Sequence, residues 1–140
     1  MIQPVLLLVA VAATFLVAHA SLGPEVVYRV GYGAFSLMAA MISLTFLWLW
    51  ARRATPLALG MSLSWAGAAS TVGWWWVYHI RSRPDAMVDS GVVFLFFSLY
   101  FSGAILHFAV IQRSAGWRRA AFALPVLGAL AVATAVQLFV

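Results

Sequence analysis

Five apolar runs, at about 4–21, 30–50, 57–80, 90–112 and 120–139, take up most of the chain. Each is close to the roughly 20 residues a helix needs to cross the hydrocarbon core of a bilayer. In lipid every backbone polar group must be satisfied internally, so a spanning segment is a helix or part of a closed barrel. Unbroken runs of this length predict helices. The links between them are short: "LGPEVVYR", "ARRATP", "IRSRPDAMVDS" and "QRSAGWRR". Short links make successive helices antiparallel. The predicted fold is therefore all-α, an integral membrane bundle of five transmembrane helices forming a single domain over 1–140.

Composition agrees. Only 8% of the residues are charged, against about 25% in soluble domains. The absence of cysteine excludes disulfides and thiol chemistry. All eight basic residues are arginines, so lysine Schiff-base chemistry is excluded as well. The net charge of +5 does not predict nucleic-acid binding, because the arginines border apolar runs and read as topology signals. The expected partners are the lipid bilayer and other membrane-protein subunits. The first run ends in Ala18-His19-Ala20, like a signal cleavage site, but no basic residue precedes it. It is read as a retained span.

Orientation follows from the arginines. Arg52, Arg53, Arg113, Arg118 and Arg119 fall on the side of the N-terminus, against Arg29, Arg81 and Arg83 on the other. The positive-inside rule then predicts the N-terminus inside and the C-terminus outside, in a bacterial inner membrane. Within the third run, Gly60, Ser64, Gly67 and Thr71 recur at helical spacing and predict close approach of a neighbouring helix. Pro125 predicts a bend in the fifth run.

The three histidines are the candidate chemistry, since an ionisable residue at membrane depth points to function. His19 and His79 end the first and third runs, which both lead outward. They are predicted to lie at similar depth near the outer face, as the ligands of one cofactor or metal site. Two imidazoles with Glu25, Asp85 or Asp89 nearby suit a divalent metal. Two facing imidazoles suit a haem iron. The competing reading is a pair of interfacial side chains with wet polar tips. His107 lies roughly 24 Å along the fourth span from its outer end and cannot share a site with the other two. Pro84 with Asp85, and Asp89 with Ser90, also read as helix-terminus residues. Trp74, Trp75, Trp76 and Tyr78 read as an interfacial aromatic belt. Successive residues point about 100° apart on a helix, so the three tryptophans cannot share one partner.

Tyr28-Arg29, Tyr32 and Ser36-Leu37 within "YRVGYGAFSL" resemble the start of a helix in the NnrU family, membrane proteins related to zeta-carotene isomerase. His19 matches the histidine those proteins carry late in the first span. The resemblance covers about residues 15–53. It implies a helical membrane protein linked to haem, to nitric-oxide metabolism or to isomerisation of a lipid-soluble polyene. The alternative carried beside it is a non-catalytic accessory or assembly subunit of a larger membrane complex.

Overall fold

A computed structural model describes residues 2–114, 116 and 123–139. The fold is all-α. Five long helices run in chain order as α1 (Ile2–Leu22), α2 (Pro24–Arg53), α3 (Pro56–Ile80), α5 (Val92–Ser114) and α6 (Ala123–Phe139), and the single turn α4 (Asp85–Val88) precedes α5. Of these, α1, α2 and the segment Asp85–Ser114 are long and apolar enough to cross a membrane. The sequence expectation was five such spans. The third run does form a 25-residue helix, but serine, glycine and tryptophan dilute its apolar character. The last helix has 17 described residues. Arg118, Arg119 and the first residues of the expected fifth run lie outside the described residues. Pro125 falls in the first described turn of α6.

Two links are shorter than the sequence predicts: "ARRATP" reduces to Ala54 and Thr55, and the first link changes most. The first link, expected to be an eight-residue loop, reduces to Gly23 alone. Gly23 has φ 81°, a left-handed conformation that glycine adopts without steric cost. Pro24 follows at the first helical position, where its missing N–H is no loss. Glu25 lies in the first turn of α2, favoured by the helix dipole, and pairs with Arg29 at 3.1 Å one turn later. These residues extend α2 back to Pro24.

The helices form a layer with α3 at its centre, flanked by α2 and α5; α1 leans on α2, and α6 on α5. The small-residue stripe of α3 explains the α5 side. A Cβ added at Gly67 would lie 2.5 Å from Tyr100 N and 2.7 Å from Phe96 O. One added at Gly103 would run into Ser64. The α2 side is held by polar contacts. Ser43 donates to Ser62 O at 2.8 Å in a buried position, and Ser36 donates to Ala69 O at 2.9 Å. Gly33 makes room for the indole of Trp76.

The "WWW" stretch divides among three directions, as helical spacing requires. Trp74 donates through Nε1 to Met87 O at 3.1 Å and meets Phe96 edge-on, which fastens α4 to the layer. Trp75 meets Tyr78. Trp76 packs over Gly33 of α2.

Candidate functional site

His79, in the last turn of α3, is half-buried. Its ring lies almost parallel to that of Tyr32, with centroids 5.6 Å apart and planes 13° from parallel. Tyr28 stacks on the other side of Tyr32 at 6.2 Å, and Tyr78 meets His79 edge-on at 5.6 Å. A row of rings therefore links the N-terminal end of α2 to the C-terminal end of α3. Tyr28 and Tyr32 are four residues apart, so helical spacing alone sets them on one face of α2.

Below this row, between α1, α2 and α3, lies a cavity of about 460 Å³. Phe15 of α1, Tyr28, Gly31, Tyr32 and Phe35 of α2, and Val72 of α3 line it. Gly31 faces the Phe15 ring, which a Cβ there would meet at an ordinary contact distance of 3.8 Å. The cavity is within the roughly 300–1,000 Å³ common for small-molecule sites.

The predicted ligand residues stand in different relations to it. Val72 and His79 are seven residues apart, two helical turns, so His79 continues the face of α3 that borders the cavity. His19 follows Phe15 by one turn on α1 and is exposed in the last turn of that helix. The rings that His79 meets are Tyr32 and Tyr78. Among the described residues no group of three or more His, Asp or Glu side chains gathers as a metal site would.

The acids are engaged elsewhere. Glu25 accepts from Arg29 at 3.1 Å and from Arg83 at 3.4 Å. Ser82 and Arg83 adopt positive φ, 59° and 62°, a conformation that costs L-residues roughly 1–2 kcal/mol each. This turn leads back from α3 to the first turn of α2 and brings Arg83 to Glu25. Asp85 opens α4, and Asp89 closes it. Ser90 Oγ accepts from Val92 N at 3.4 Å at the start of α5.

Sequence reasoning did not single out Phe15, and it used Tyr28 and Tyr32 only as letters of a resemblance. The i, i+4 tyrosine pair near the N-terminal end of α2, level with His79, is the signal that could have found the row. No protein-family model, curated protein or solved structure matches the chain.

Proposed function

We propose that the chain is a small bacterial inner-membrane protein of five spans, N-terminus inside and C-terminus outside, that binds a flat lipophilic ligand. The site is the cavity between α1, α2 and α3, lined by Tyr28 and Tyr32, with His79 stacked on Tyr32 beside it. The observation carrying this reading is the Tyr28–Tyr32–His79 ring row set above an apolar cavity of ligand size. Aromatic walls with few polar groups are the usual lining of such sites.

A haem is one such ligand, with the imidazole coming from beside the lining: His79 continues the face of α3 that holds Val72. Its iron needs an imidazole nitrogen and its macrocycle an apolar pocket. His79 or His19 would supply the nitrogen, and the two tyrosines would pack against the ring. When bound, a haem supplies an iron able to hold a diatomic gas or pass an electron. A lipid-soluble polyene would use the same apolar walls without the imidazole nitrogen.

The test is the absorption spectrum of protein purified in detergent, before and after titration with haemin. A Soret band that shifts in His79→Ala supports a haem. Saturable binding of a carotenoid displaced by haemin supports the polyene. Failure of both ligands to bind overturns the reading. Orientation is tested separately with a reporter fused after Val140, which should be active on the periplasmic side.

A second reading is supported by α1, which has no buried residue along its 21 positions. A helix so little engaged within its own chain suits a non-catalytic subunit that hands one face to another membrane protein. Stable co-purifying proteins lost on substitutions along α1 would favour it.

A further inference from the structure

A different cavity, of about 390 Å³, lies on the seam of α2, α3 and α5. Phe35, Trp65, Tyr100 and Phe108 supply aromatic wall, and Ser64 and His107 add polar groups to the Tyr100 hydroxyl and the Trp65 N–H. None of the lining residues is charged. Phe35 and Tyr100 are 43% and 47% exposed, so the rim opens sideways on the helix surface rather than at a helix end. His107 is 15 residues beyond the start of α5, roughly 22 Å along it at 1.5 Å per residue.

The imidazole carries an unusual feature. Its Nδ1 is buried and has no hydrogen-bond partner among the described residues. A neutral imidazole carries its proton on one nitrogen and a lone pair on the other. A proton on Nδ1 would be a buried donor with nothing to receive it, and an unmade buried donor costs its full desolvation. A lone pair on Nδ1 is likewise unpaired, so either tautomer leaves that atom unsatisfied, and the tautomer with its proton on Nε2 is the one that gives the cavity an N–H donor. The unpaired Nδ1 disfavours iron or zinc, because a metal-bound histidine nearly always donates its other ring N–H to a partner.

We propose that this second cavity binds a lipophilic quinone, with His107 Nε2–H donating to a quinone carbonyl. The chemistry selects this class in three steps. The site offers a neutral donor, so it takes an acceptor. It offers no arginine, so a carboxylate or phosphate finds no counter-charge. Its walls are aromatic and its rim faces sideways, so a planar, neutral molecule dissolved in the bilayer can enter. A quinone is planar and neutral, and it carries carbonyl acceptors. Ser64 places one more hydroxyl on the wall.

The experiment uses the full chain in detergent micelles and decylubiquinone as the probe. Binding is followed by quenching of tryptophan fluorescence, with Trp65→Phe reducing the quenched amplitude. Infrared difference spectra of the wild-type protein should show the bound carbonyl stretch lowered relative to the quinone in empty micelles. His107→Phe should weaken binding tenfold or more, and His107→Gln, which keeps an N–H donor, should recover part of the loss. His79→Ala should leave the quinone titration unchanged, because it belongs to the other cavity. An unshifted carbonyl stretch in the wild type overturns the proposal, even where the phenylalanine variant fails to fold. So does binding by His107→Phe within twofold of wild type. So does loss of quinone binding in His79→Ala with retention in His107→Phe, which would move the quinone to the first cavity.

Discussion

Helices α1 and α3 are similar in length, 21 and 25 residues, and opposite in use. α1 is the more apolar by sequence and buries nothing within the chain. α3 is diluted by serine and glycine, and it buries Ala58, Gly60, Ser62, Gly67 and Ala69. A soluble protein would reverse these roles, with the most apolar helix at the centre. In lipid the tails are as apolar as leucine, so long aliphatic side chains gain nothing by facing another helix. What holds helices together there is close approach and hydrogen bonding across the interface. Gly67, Gly103 and the Ser43–Ser62 contact supply both around α3. α1 supplies neither along most of its length.

The strongest way to break this contrast is Gly67→Leu. Its new side chain would start 2.5 Å from the backbone nitrogen of Tyr100. Backbone cannot swing aside, so α3 and α5 must separate. Overpacking of this kind costs about 1–3 kcal/mol. Thermal unfolding in detergent should show a clear drop in Tm. An unchanged Tm would mean that α5 does not press on this face.

Ser43→Ala tests the other side of α3 with a smaller change. The hydroxyl donates to Ser62 O in a buried position. Its loss should cost about 1 kcal/mol, the usual net value of one hydrogen bond. Ser62 O can still accept within its own helix, so the loss should not grow beyond that. The same unfolding measurement reads it.

The existence of the helices and the α3 stripe was legible in the sequence, because run length and small-residue spacing are local signals. Gly60, Ser64 and Gly67 fall where the pattern put them, against α5. The backward extension of α2 to Pro24 was missed, because Pro24, Glu25 and Arg29 interrupt the apolar pattern and "LGPEVVYR" reads as a link. Pro24 and Glu25 are in fact a helix start. The sites were less legible. Depth along a helix placed His79 near one end and His107 near the other. It could not say that Tyr32 would stack on His79, or that Trp65, Tyr100 and His107 would share a cavity. Those facts depend on which helix lies beside which, and five antiparallel runs allow several arrangements.

Gly33→Ala sharpens the comparison further, since here the obstacle is a side chain. A Cβ at Gly33 would lie 2.6 Å from the Trp76 ring. Pushing that indole off its rotamer costs about 0.5–1.5 kcal/mol. Alanine in a helix regains about 0.8–1.0 kcal/mol over glycine. The two nearly cancel, so Tm should barely move while the tryptophan emission maximum shifts. A drop as large as that of Gly67→Leu would mean that Trp76 is locked in place.

The smallest effect belongs to α1. Leu8 is 69% exposed near the middle of that helix, in a chain whose first helix buries no residue at all. Leu8→Ala removes a large apolar group, which in a soluble core would cost about 2–5 kcal/mol through lost transfer and a cavity. Neither penalty applies where lipid or detergent fills the space left behind. Alanine also has a slightly better helix propensity. Tm should therefore change by less than about 0.5 kcal/mol equivalent, as for surface substitutions away from special features. This outcome sets the baseline against which Gly67→Leu is read. A loss of 1 kcal/mol or more at Leu8, in protein purified free of other chains, would show that α1 docks on something within its own assembly. A second copy of the chain would be the first candidate, and light scattering of the wild type and the variant would separate a broken dimer from a weakened monomer.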